Sequence, residues 1–133
     1  MNTEEAIRWF KQAKADVESA KDSLTTKHFD WACFQAQQAG EKALKAFLYK
    51  QGLRAILTHS VRDLLNECGK YENAFFDFVD QARFLDTFYI PSRYPNGLPG
   101  GNYPAGFYIK EDADKCISSA DSILKEVEKY IKT

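Results

Sequence analysis

The chain has 133 residues, with 18 Lys and Arg against 19 Asp and Glu, a net charge of −1 and a pI near 6.1. That balance excludes a protein that coats nucleic acid through overall positive charge. Its length predicts one domain, residues 1–133, with one core, and 44% hydrophobic against 28% charged residues excludes a disordered chain.

The opening stretch MNTEEAIRWFKQAK mixes acids and bases and has no apolar h-region, which argues against a secretory leader. No apolar run approaches the roughly 18 residues of a membrane span. Cys33, Cys68 and Cys116 are odd in number and lack C-x-x-C spacing. They read as thiols of a reduced, cytoplasmic protein and not as a disulfide or zinc framework.

In chain order, Ala6, Phe10, Ala13, Val17, Ala20 and Leu24 fall at 4-3-4-3-4 spacing, one stripe of a helix capped at Thr3. A break at Thr25–His28 precedes a second helix from Asp30 to about Gln51, stopped by Gly52. Its Ala32, Ala36, Ala39, Gly40, Ala43 and Ala46 form a narrow face that suits close helix packing in the core. Thr58 or Ser60 caps a third helix through Val61, Leu64 and Leu65, closed by Gly69. A fourth runs from Ala74 to about Phe88, and the last from about Glu111 to Ile131, again at 4-3-4-3-4 spacing. The fold class is all-α: an antiparallel up-and-down bundle of four to five helices.

One segment breaks the pattern. Tyr89–Ile109 holds all four Pro, four of the seven Gly, four of the seven Tyr and a single charge, Arg93. A loop of this length without secondary structure of its own is usually functional or disordered, and so many aromatics disfavour disorder. An ordered Pro/Gly/Tyr loop before the last helix is expected.

The chain lacks a phosphate loop, a Glu-x-x-His pair and any His/Cys cluster, so neither a metal nor another cofactor is expected. What remains is charge. Lys42 to Arg62 carries five cations and His59 with no acid, while Asp63 to Asp86 sums to −4. Such asymmetry is either a polyanion site or two solvated faces that attract each other. On the second helix Gln35, Gln38, Lys42, Lys45 and Tyr49 share one face, with Glu41 placed to pair with Lys45. That row either contacts phosphate and base or is the wet face of the bundle. Arg93, with Tyr94 and the other rings of its loop, suits bidentate phosphate recognition beside stacking surfaces. Equally, it pins the loop by bonding carbonyls or a carboxylate such as Asp86.

Trp9 and Ala13 in the first helix, the string Cys33-Phe-Gln-Ala-Gln-Gln-Ala-Gly-Glu-Lys-Ala-Leu-Lys-Ala-Phe-Leu48, His59 before Asp63-Leu64-Leu65, and Tyr89-Ile-Pro-Ser-Arg-Tyr-Pro95 together resemble the HEPN domain. That name stands for higher eukaryotes and prokaryotes nucleotide-binding. The resemblance covers nearly the whole chain. It implies a helical bundle related to the substrate-binding domain of kanamycin-type nucleotidyltransferases, often dimeric and often encoded beside a minimal nucleotidyltransferase. The implied role is a non-catalytic, nucleotide-binding partner in a toxin-antitoxin-like pair. Gln38, Lys42, Lys45, His59, Arg93 and Tyr94 are its candidate ligand contacts.

Many HEPN proteins are instead metal-independent ribonucleases that use an Arg, four to six residues and a His. This chain departs from that pattern, since no histidine follows Arg93; Arg54 and His59 have the bare spacing but lie after the second helix. An RNase toxin using Arg54 and His59 is the alternative reading, and a purely structural dimerisation module the third.

Overall fold

The computed structural model describes residues 1–131. Its first two helices, α1 (Thr3–Thr25) and α2 (Phe29–Lys50), are joined by a tight turn in which Lys27 takes a positive φ of 64°. They run antiparallel, since the Asn2 amide reaches the Tyr49 carbonyl at 3.3 Å. The cap of α1 is Asn2 and not Thr3: its side-chain oxygen accepts from the Glu5 amide at 3.1 Å. Gly52, at φ 101°, ends the chain's run beyond α2 in a conformation that side chains resist.

The alanine stripe of α2 is core. Ala32, Ala36, Ala39, Ala43 and Ala46 are completely buried. At Gly40 a Cβ would come within 3.0 Å of Leu85, so this glycine sets how near the fourth helix can lie. Helix α3 (Val61–Gly69) starts beside Gly40 and advances along α2, with Cys68 donating to the Leu44 carbonyl at 3.6 Å.

The expected fourth helix is two elements. Asn73–Phe78 is 3-10 helix, and only Val79–Asp86, α4, is α-helical. Three residues per turn put Phe75 and Phe78 on one edge, and Phe75 is wholly buried, stacked on Phe47 at 4.7 Å. Burial of that ring overrides the α-helical spacing. Helix α4 then returns along α2 toward Phe34.

The long loop is ordered but not structureless. It contains a 3-10 turn, Pro95–Gly97, and a one-turn helix, α5 (Pro104–Phe107), each opened by proline, whose fixed φ suits a first helical position. Helix α6 (Lys110–Glu128) ends three residues before the expected boundary, and Tyr130 folds over Phe47 and Phe75 at 5.2 and 5.6 Å. Thus α1, α2, α4 and α6 form the up-and-down bundle, α2 at its centre, with α3 a short excursion. No strand occurs among the described residues, and no helix is long and apolar enough to cross a membrane.

Candidate functional site

The site is built around a buried carboxylate. Glu41 is 3% exposed, and its Oε2 accepts from Lys45 Nζ at 3.0 Å and meets His59 Nδ1 at 3.2 Å. Gln37 and Gln38 approach Oε1 at 3.4 and 3.5 Å, and Gln37 also donates to the His59 carbonyl at 3.2 Å. A buried charge requires such company, because desolvation penalises it unless it is paired and hydrogen-bonded. The pairing of Glu41 with Lys45 one helical turn on is the one read from spacing. The row from Gln35 to Tyr49, however, is no wet face: Lys45 is 4% exposed, its ammonium 5.7 Å from the Trp9 ring centre, and Tyr49 lies against Trp9 at 5.2 Å.

From this anchor the site reaches the surface through His59, whose side chain is 56% exposed. With Nδ1 on the carboxylate, Nε2 is the nitrogen left for a ligand. The imidazole stacks on Tyr89 at 5.2 Å with planes 15° apart. Arg93 contacts the same phenol: its guanidinium carbon lies 4.7 Å from the Tyr89 ring centre, 4.2 Å from that of Phe34 and 5.2 Å from that of Tyr94. Its Nε donates to the Tyr89 carbonyl at 2.9 Å.

Arg93 therefore does bond a backbone carbonyl, but Asp86 is not its partner. Asp86 accepts from Ser60 Oγ at 2.8 Å and from the Val61 and Arg62 amides at 2.6 and 3.2 Å, neutralising the N-terminus of α3. Among the described residues no carboxylate lies within 4.0 Å of Arg93, so its terminal nitrogens remain available to an anion.

The acid-free stretch is not a basic patch in space. Lys42 pairs with Asp16 at 2.7 Å, Lys45 with Glu41, and Lys50 donates to the Tyr130 carbonyl. Of the candidate contacts, Gln38 and Lys45 belong to the Glu41 network, while His59, Arg93 and Tyr94 share the Tyr89 surface. Lys42 lies elsewhere, in a cavity with Trp9 and Arg8, and Arg54 lines another with Tyr49 and Leu53. The organising groups that sequence reasoning did not include among the ligand contacts are Phe34, Glu41 and Tyr89. Among the described residues no group of three or more His, Cys, Asp or Glu could hold a metal, and Cys33, Cys68 and Cys116 are free, buried thiols.

Fold and site together define an all-helical bundle with a buried carboxylate at its central helix and an Arg–aromatic surface on the loop before its last helix. The HEPN domain family matches over residues 6–130, and the chain belongs to it. It is 28% identical to the protein named Putative toxin MJ1304 of Methanocaldococcus jannaschii, over 98% of this chain and 91% of that one. Among solved structures, TT1696 from Thermus thermophilus superposes with a TM-score of 0.89 at 37% identity, covering 97% of this chain and 98% of that one. The archaeal HEPN homologue ST0689 superposes with a TM-score of 0.78 at 37% identity, covering 99% of each chain.

Proposed function

We propose that the chain binds a nucleotide or related phosphate-bearing ligand at the His59–Tyr89–Arg93 surface, as the non-catalytic partner of a minimal nucleotidyltransferase in a toxin-antitoxin-like pair, acting as a homodimer in the cytoplasm. The observation that carries the binding reading is Arg93: a guanidinium held by rings and one carbonyl, with its terminal nitrogens free of carboxylate and an exposed imidazole on the same phenol. A planar guanidinium matches phosphate oxygens bidentately, and neighbouring rings offer stacking to a base. Lys45 supports the site indirectly, by neutralising the carboxylate that orients His59. The toxin in the name of the archaeal relative is consistent with a paired system. The test is calorimetric titration of nucleoside triphosphates into wild type and Arg93→Ala. A loss of about tenfold or more in affinity, the usual worth of one charge-assisted hydrogen bond, is expected; equal affinity removes Arg93 from the site.

The Glu41–His59 pair favours a second reading, metal-independent RNA cleavage. A carboxylate on Nδ1 presents Nε2 as a general base toward a 2′-hydroxyl. Arg54, its candidate partner by spacing, lines the cavity with Tyr49 and Leu53, whereas Arg93 shares the Tyr89 ring with His59. In this reading RNA is cut without added metal by wild type and not by His59→Ala. Cleavage that persists in the variant, or is absent from wild type, ends it.

A further inference from the structure

Between α4 and α6, the two helices that flank the Tyr89–Ile109 loop, lies a cleft of about 290 Å³. Small-molecule sites run to roughly 300–1,000 Å³, so an occupant of this one has few heavy atoms. Its floor is polar and unsatisfied. Gln81 Oε1, from α4, is buried with no hydrogen-bond donor among the described residues, a condition native structures rarely leave. Across from it on α6, Ser119 is 5% exposed. The flanking Ser118 and Ser122 hydroxyls donate to the Lys115 and Ser118 carbonyls at 3.2 and 3.0 Å, whereas that of Ser119 has no partner among the described residues. The rim carries both signs of charge. Lys115 holds its ammonium 4.2 Å from the Phe84 ring centre, and Asp80 lines the same cleft. Among the described residues neither Asp80 nor Lys115 has an oppositely charged group within 4.0 Å. Asp80 and Gln81 are adjacent in sequence, and Lys115 and Ser119 are four residues, about 6 Å, apart along α6, so one small molecule can span all four.

We propose that this cleft binds a free amino acid with a hydroxyl or amide side chain. The α-ammonium meets Asp80 and the α-carboxylate meets Lys115, each through charge-assisted hydrogen bonds. The side chain donates to Gln81 Oε1 and accepts from Ser119 Oγ, which satisfies both groups at once. A zwitterion matches a rim of both signs, and the Asp80 carboxylate repels a purely anionic ligand. A buried water serves Gln81 and Ser119 but leaves the two charges unmatched. The inference does not depend on the reading of Arg93.

The test is titration of the nitrogen-15-labelled protein with L-glutamine, followed by heteronuclear NMR. The Gln81 side-chain amide and the Ser118 and Ser119 backbone amides should shift saturably. The apparent affinity should fall about tenfold in Lys115→Met and in Asp80→Asn, the usual worth of one charge-assisted hydrogen bond, and remain unchanged in Arg93→Ala. These two variants lie on different helices at exposed positions, and a dispersed spectrum of each shows that it folds. N-acetyl-L-glutamine, which has no ammonium, should bind more weakly than L-glutamine and should not distinguish wild type from Asp80→Asn. L-norleucine, which has no side-chain amide, should also be weaker. The proposal is overturned if no resonance shifts saturably, which would leave the cleft to water alone, or if either charge variant binds as wild type does. It is also overturned if glycerol matches L-glutamine, which would make the cleft a general polyol site, or if the shifts fall on Tyr89 and Arg93 instead.

Discussion

The His59 imidazole and the Tyr89 phenol stack at 5.2 Å, 15° from parallel, joining a link that follows α2 to a loop that follows α4. This contact connects the buried Glu41 charge to the exposed Arg93, because each ring also touches one of them. A change at either end of that chain of contacts has a distinct signature.

Removing Glu41 strands a buried ammonium. Lys45 and Glu41 side chains are each 5% exposed, and breaking such a pair by losing one partner costs about 3–5 kcal/mol. Glu41→Ala should therefore lower the urea midpoint strongly, whereas Glu41→Leu/Lys45→Met should recover most of the loss. Equal destabilisation of both variants would show that the charge pair is not the source.

Asp86 acts on stability through α3. Its carboxylate engages two backbone amides and the Ser60 hydroxyl, so Asp86→Ala should cost about 1–2 kcal/mol, the range of a lost helix cap. Thermal melts would show it, and Asp86→Asn, keeping one acceptor oxygen, should fall between.

The turn carrying Arg93 is closed by a glycine. A Cβ at Gly97 would sit 2.9 Å from the Pro91 Cα, a backbone atom that cannot swing aside. Gly97→Ala should cost about 1–3 kcal/mol as overpacking does. Gly101→Ala, where nothing lies within 4 Å, should be close to neutral in the same denaturation series.

Alkali should unfold the protein through buried acids. Burial, aided by the Asp112 charge, pushes Tyr108 from 10.0 up to about 12. Burial likewise raises the Cys68 and Cys116 thiols above their ordinary 9.0. The folded state thus keeps protons that the unfolded chain releases, so stability is complete below pH 9 and declines above it. Under reducing conditions the melting temperature should fall from pH 9 to 12, and Tyr108→Phe should flatten the part above pH 10.

Helix periodicity placed α1, α2, α3 and α6 to within a few residues, and the alanine stripe marked the core face of α2, because burial along a regular helix is written into spacing. The 3-10 segment before α4 escaped that reasoning, since the burial of Phe75 against Phe47 comes from another part of the chain. Charge shows the same division. A count from Lys42 to Arg62 finds five cations and no acid, yet Glu41, at the edge of that window, and Asp16, on the other side of the α1–α2 turn, neutralise two of them.

Sequence alone determined an all-helical chain, its central helix and the singular position of Arg93, because these depend on local spacing and composition. Tertiary structure decided that Asp86 joins the Ser60 cap of α3 and leaves Arg93 to the rings, that His59 shares Tyr89 with it, and that Lys42 lies with Trp9 instead. Those outcomes are competitions between groups distant in sequence, and each is settled by which partner the packed backbone brings within hydrogen-bonding reach.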